Sequence, residues 1–281
     1  MRRRVIAVIA ALVLVLLPLA GGPAAADAAA SAQPRPLVRV LTFNIHHGAG
    51  VDGRVDLERI AGVIRDSRAD VVGLQEVDRH WSERSAFADQ AGELARALRM
   101  QVVYGANLDL DPLAEGQPRR QYGTALLTRV PVLDWDNTPL PRFGDHEQRG
   151  LLRARLLVRG RPVQVHVTHL QHNDAAERLA QAQAIVRLLD RSREPAVLLG
   201  DLNAEPGTPE VTTLTTPLAD AWVAGTGPGH TFPSEAPTRR IDYVLASPDL
   251  RPRHAAVITT PDAVAASDHL PVVADLALPR R

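Results

Sequence analysis

The stretch "AVLLGDLNAEP", residues 196–206, climbs through four apolar residues to a glycine and then sets Asp201, Asn203 and Glu205 close together. A short apolar run that stops at turn residues reads as a strand buried on both faces, and such a strand needs covering layers on each side. Asp201 and Asn203, two apart on an extended chain, are expected to face one way into a cleft. Gly200 is expected to let the backbone turn, and Glu205, beside Pro206, reads as rim. The plainer alternative is a turn in which Asp201 bonds its own backbone.

Outward from this strand the chain alternates. "LVRVLTFNI" and "DVVGLQEV" are strand-like, and "DLERIAGVIRDS" between them places Leu57, Ile60, Val63 and Ile64 at helical spacing behind the cap candidate Asp56. A second helix, "QAGELARALR", leads into the strand "MQVVYGAN". The polar segment 107–121 has no periodicity and reads as a loop. "YGTALLTR", "LLRARLLV" and "PVQVHVTHL" follow without helices between them, as antiparallel neighbours do. The helix "DAAERLAQAQAIVRLLD" precedes the opening stretch, and "IDYVLAS", "RHAAVIT" and "PVVADLAL" close the chain beyond a Pro/Gly/Thr-rich region at 205–240. There is no obvious repeat or dividing linker. This order fits an α/β fold of two mixed, largely antiparallel sheets packed face to face with helices outside.

Composition narrows the function. The 281 residues are 45% hydrophobic and 23% charged, enough for one large core. Net charge is zero and all 32 cationic side chains are arginine, so no broad pull toward nucleic acid or a membrane surface exists. The N-terminus has a signal-peptide layout over residues 1–32: Arg2, Arg3 and Arg4, the apolar run "VIAVIAALVLVLLPLA", then small residues with cleavage expected after Ala26, Ala30 or Ala32. An uncleaved membrane anchor is the competing reading, although the run is short and broken by Pro18. Secretion is therefore expected, with a single domain at 37–279, no membrane span once the signal is removed, and a monomer. With no cysteine, the exported chain has neither disulfides nor a lipid-anchored cysteine.

Polar residues gather where strands stop. "LTFNIHHG" carries Asn44, "VVGLQEVD" Glu76, "VHVTHLQH" His169, "VLLGDLN" Asp201 and Asn203, and "AASDHLPV" Asp268 and His269. Each has an ordinary explanation taken singly, as a capped turn, a solvated acid or a core-edge histidine. Five recurrences at strand ends favour a shared cleft. Glu76 and Asp268 suit a hard divalent cation, with Asn44 as a supporting amide. Zinc is disfavoured, because no His-rich ligand spacing is present and cysteine is absent. His269 suits a general base, and Asp242 at a strand start could orient its ring.

The motifs "LTFNIHHG", "LQEVD", "YGTALLTR", "VTHLQH", "GDLNAEP", "RRIDYVLAS" and "SDHLPV", in that order over residues 41–272, resemble the endonuclease/exonuclease/phosphatase (deoxyribonuclease I-like) superfamily in a secreted bacterial form. The resemblance implies a four-layered α/β sandwich and a magnesium-dependent, or manganese-dependent, phosphoesterase. It assigns the metal to Glu76, supported by Asn44 and Asp268, and the attacking water to His269, oriented by Asp242. Asp201 and Asn203 then hold the water or a phosphoryl oxygen, and His169 stabilises developing charge. Arg149 falls where phosphatase-like members carry a phosphate-gripping arginine, and Tyr122 and Thr124 are candidate cleft walls. His46 and His47 read as loop histidines or as support for Asn44; Arg239 and Arg240 could meet substrate or pair with acids. Balanced charge and only 4% aromatic residues disfavour duplex nucleic acid. Phospholipid or sugar-phosphate esters are favoured over nucleic acid, with an inactive binding module and an anchored envelope protein as the contrasting classes.

Overall fold

The computed structural model describes residues 37–278, so the expected signal segment and its cleavage sites lie outside the described residues. In chain order the elements are β1 (Leu37–Asn44), α1 (Leu57–Ser67), β2 (Val71–Arg79), α2 (Gln90–Leu98), β3 (Gln101–Leu110), β4 (Arg120–Thr128), β5 (Val132–Pro139) and β6 (Gly150–Val158). They continue with β7 (Arg161–His169), α3 (Ala175–Leu189), β8 (Ala196–Asp201), α4 (Pro209–Thr215), β9 (Ala219–Asp220), β10 (Asp242–Ala246), β11 (Arg251–Val257), α5 (Pro261–Ala266) and β12 (Val272–Ala277). Among the described residues no helix is long and apolar enough to cross a membrane.

The strands form two six-stranded sheets, ordered β11-β12-β1-β2-β4-β3 and β5-β6-β7-β8-β10-β9. Each sheet holds one parallel pair joined by a crossover helix, β1 with β2 through α1 and β7 with β8 through α3. The remaining pairs are antiparallel. Every residue of β8 is buried, as its apolar run requires.

Three apolar clusters make this a four-layered sandwich. The central one interleaves the inner faces of both sheets, with Val40, Val71 and Leu126 against Val165, Val167 and Leu199. A second joins the first sheet to α1, α2 and α5 through Ile60, Ile64, Leu94 and Ala263. The third joins the second sheet to α3 and α4 through Leu198, Ile185 and Leu214. The helices start where the sequence marks them: Asp56 accepts from Arg59 N and Asp174 from Glu177 N, each at 2.9 Å.

Four local expectations change. Segment 107–121 is not all loop, because β3 and β4 extend into it as a hairpin. Arg119 pins that hairpin by donating to Asp109 and Asp111, each at 2.7 Å. β5 escapes a periodicity reading because it is a largely exposed edge, held by ion pairs from Arg153 to Asp134 and Asp136. The region 205–240 contains α4, which begins at Pro209. Gly200 lies within β8 and does not make the turn. A Cβ there would sit 2.7 Å from Thr168 O, so glycine is needed for the close approach of β7.

Gly73, on β2, faces the other sheet, and a Cβ there would come within 2.9 Å of Leu199 and 3.0 Å of Val167. Gly73→Ala should cost about 1–3 kcal/mol by overpacking, read as a lower urea midpoint. Gly62→Ala should move the other way by up to about 1 kcal/mol, since Gly62 is inside α1 with open space around its Cα.

His166, on β7, is buried with neither ring nitrogen hydrogen-bonded. Burial, reinforced by Arg153, lowers its pKa from 6.5 to about 4. The unfolded chain therefore takes up a proton near pH 6.5 that the folded chain refuses until about pH 4. Stability should fall across this window by at most about 3 kcal/mol. His166→Leu should flatten that decline, seen by comparing melting temperatures on either side of it.

Candidate active site

The site forms where the two sheets bring the same ends of their parallel pairs together. In the second sheet His169 is in register with Asp201, and Asp201 with Asp242, so three titratable side chains share one edge. In the first sheet Asn44 ends β1, and β2 bulges between Leu74 and Val77 with Glu76 at φ 58°. The bulge breaks strand alternation at the point where a regular strand would keep neighbouring residues on opposite faces, and so re-aims Glu76.

Asn44 bridges the sheets. Its Nδ2 donates to Glu76 Oε1 at 3.0 Å and to Asp201 Oδ2 at 3.1 Å, while its Oδ1 accepts from His46 N at 3.1 Å. Asp201 also accepts from Asn203 N at 2.8 Å. Thus the turn alternative for "GDLN" is true as well: Asp201 bonds its own backbone and still reaches the cleft. Asn203 converges by a left-handed turn at φ 50°, and the two residues do not lie along one extended face.

Asp242 Oδ2 faces His269 Nδ1 at 3.0 Å and accepts from Thr231 Oγ1 at 2.6 Å. His269 Nε2 then points toward Asp201 Oδ2, 3.7 Å away. All three groups are buried. Burial works against charge on His269, but Asp242 and Asp201 outweigh it and raise its pKa to about 10. Asp201 is pushed up to about 7 by burial and by Asp242. Both shifts favour keeping a proton on the line Asp242–His269–Asp201, where it can be exchanged with a bound ligand.

His169 meets Arg149 Nη1 at its Nδ1, 3.0 Å away. Both ring nitrogens thus face donors, Nδ1 the Arg149 guanidinium and Nε2 the Asn203 Nδ2 at 3.0 Å, with Asp201 Oδ2 3.5 Å from Nε2. Burial first, then the positive charge of Arg149, keeps this histidine neutral. Arg149 is itself buried and ion-paired with Glu147 at 2.9 Å, with Nη2 3.4 Å from His172 Nδ1. The terminal nitrogens of the fork expected to grip phosphate thus meet Glu147, His169 and His172.

Tyr122 is buried beside Trp81, ring centroids 5.8 Å apart, with the Arg84 guanidinium 5.5 Å above its ring. Burial, then the carboxylates of Glu76 and Glu147, hold its hydroxyl proton firmly. Thr124 is buried in the same strand. Asp268 is partly exposed, its Oδ1 3.8 Å from His46 Nδ1. Arg239 and Arg240 serve structure: the first pairs with Glu205, the second with Asp220 while covering the Tyr243 ring.

Thr231, Glu147, Arg84 and Phe232, whose ring lies 4.8 Å from that of His269, went unread in the sequence. Thr231 lies eleven positions from its partner Asp242 in an irregular region, so no local pattern marks it. The "EQRG" spacing of Glu147 and Arg149 was the available signal for that pair. Glu76 and Asp268 offer oxygens of the kind a hard divalent cation takes, whereas Asn44 turns its NH₂ to Glu76 and its oxygen to His46 N, so it steadies the Glu76 carboxylate without presenting an oxygen to the cleft.

A family model described as the Endonuclease/Exonuclease/phosphatase family matches residues 41–269. An endonuclease/exonuclease/phosphatase from Beutenbergia cavernae is 31% identical, with a TM-score of 0.70 over 87% of this chain and 72% of that one. A mannosyl-6-phosphatase from Bacteroides thetaiotaomicron shares the fold at 17% identity, TM-score 0.70, over 85% of this chain and 99% of that one. Protein cwh43 of Schizosaccharomyces pombe is 29% identical over 176 residues, 62% of this chain, which spans only 17% of that protein.

Asp242→Asn keeps the shape but removes the charge that orients His269. Phosphoester turnover should drop by about 10²–10⁴, while the melting temperature changes little, a pair of readouts that separates loss of chemistry from loss of fold.

Proposed function

The chain belongs to the endonuclease/exonuclease/phosphatase family and is a phosphoester hydrolase; from that premise we propose that it is a secreted, divalent-metal-dependent enzyme acting on phospholipid or sugar-phosphate esters. The observation that carries the reading is the buried Asp242–His269–Asp201 line joined through Asn44 to Glu76. Glu76 and Asp268 would hold magnesium or manganese, with Asn44 supporting the site by its hydrogen bond to Glu76. Such an ion, when bound, polarises a phosphoryl oxygen and neutralises its charge.

The chain's own groups do the rest. His269 acts as base in its neutral form: with its Nδ1 proton held by Asp242, its Nε2 accepts the proton of the attacking water as the water oxygen bonds to phosphorus, and the bond to the leaving oxygen breaks on the opposite side. Asp242 keeps the ring in place, and Asp201 and Asn203 hold the water or a phosphoryl oxygen. His169, kept neutral, stabilises charge developing on the phosphoryl group or leaving oxygen. Balanced net charge supports a small ester over duplex nucleic acid, and so does the pairing of the nearby arginines Arg84 and Arg149 with Asp78 and Glu147. Export is supported by the signal-peptide layout, and mass spectrometry of the mature N-terminus tests it.

Bis-p-nitrophenyl phosphate should be hydrolysed with magnesium or manganese, chelator should abolish turnover, and His269→Ala should lower kcat by about 10²–10⁴ without unfolding the chain. Full activity in that variant would sink the mechanism; no turnover with any metal would favour a binding module. A panel of phosphomonoesters, lipid phosphodiesters and DNA, each with magnesium, separates the small-ester reading from a nuclease.

A further inference from the structure

The turn after β1 carries two histidines that the proposed mechanism does not use. His46 and His47 both hold left-handed backbone, φ 45° at each, a region that few non-glycine residues adopt and that histidine tolerates better than most. The turn is pinned at several points: Gly48 N donates to Ile45 O at 2.7 Å, Ala49 N to His46 O at 2.8 Å, His46 N to Asn44 Oδ1 at 3.1 Å and Gln90 Nε2 to His47 O at 2.7 Å. These bonds use backbone atoms of the two histidines and leave the rings for other partners. The imidazoles meet edge to face with centroids 4.5 Å apart. One ring nitrogen from each lies, together with a Glu76 carboxylate oxygen, within a mutual 4.8 Å.

We propose that His46, His47 and Glu76 form a second divalent-cation position, selective for a borderline transition ion such as Co²⁺ or Zn²⁺. It adjoins the oxygen-ligand position at Glu76 and Asp268. Two imidazoles and one carboxylate suit such ions, whereas Mg²⁺ prefers oxygens and its own waters. A carboxylate has lone pairs enough to accept from Asn44 and still ligate a cation. Asp268, 3.8 Å from His46, adds negative charge at the rim. The sequence expectation that disfavoured a histidine-ligated ion rested on linear spacing. The fold supplies what spacing lacks by bringing Glu76 to the adjacent pair. The proposal rests on the phosphoesterase reading for the neighbouring Mg²⁺ position but not for binding itself.

Co²⁺ titration of the full chain, followed by its visible ligand-field absorption with Mg²⁺ in large excess, tests it. Wild type should bind Co²⁺ with bands of nitrogen ligation. His46→Asn/His47→Asn should weaken binding by about tenfold or more, and asparagine tolerates left-handed φ, so the turn should survive. His46→Gln/His47→Gln, with a longer side chain and the same lost imidazoles, should behave alike. Co²⁺ affinity unchanged in both double variants, or no Co²⁺ binding by wild type, would overturn the proposal. If wild type hydrolyses esters with Mg²⁺ yet fails to bind Co²⁺, this site fails and the phosphoesterase reading stands; Co²⁺ binding lost on removing the histidines, without hydrolysis of any ester, gives the reverse.

Discussion

Two hydrogen bonds from one amide hold the reactive ends of this molecule together. Asn44 donates to Glu76 within its own sheet and to Asp201 in the other, and both acceptors are carboxylates that would otherwise repel each other. A neutral donor is what this junction requires. An acid would add a third negative charge, and a cation would compete for the carboxylates that a metal needs. The amide's remaining oxygen is occupied by the backbone of His46, which fixes which end of the side chain points inward. The separation of the sheets, set in part by Gly73 packed against Leu199, keeps that bridge at hydrogen-bond length.

Electrostatics follow from the same junction. His269 and His169 stand on either side of Asp201, and their surroundings drive them to opposite states. Asp242 and Asp201 favour the charged form of His269, whereas burial and Arg149 keep His169 neutral. Two identical side chains thereby acquire different chemistry, one suited to moving a proton and the other to polar contact without charge.

Much of the fold was legible because burial on both faces leaves an unmistakable mark, as in β8, and because α1 and α3 begin at aspartates whose side chains cap them. β5 was invisible for the converse reason: an exposed edge strand needs no apolar alternation. Within the site, the residues at strand ends could be read, since a strand fixes where its last side chain goes. Glu76 was read for its chemistry but not for the bulge that aims it. Thr231 and the role of Arg149 toward His169 were not visible, because these partners lie far apart in sequence and only tertiary packing introduces them.

The first strand of the described chain pairs with the last, Leu37 opposite Ala277. Asn44 sits on that first strand, and His269 arrives only three residues before β12 begins at Val272. Pairing across such a sequence separation is among the slower events in folding. The reactive set consequently has no partial form in a growing or truncated chain. The opening strand waits for the closing one, and hydrolytic competence comes as a property of completion, acquired at once when the two termini of the domain meet.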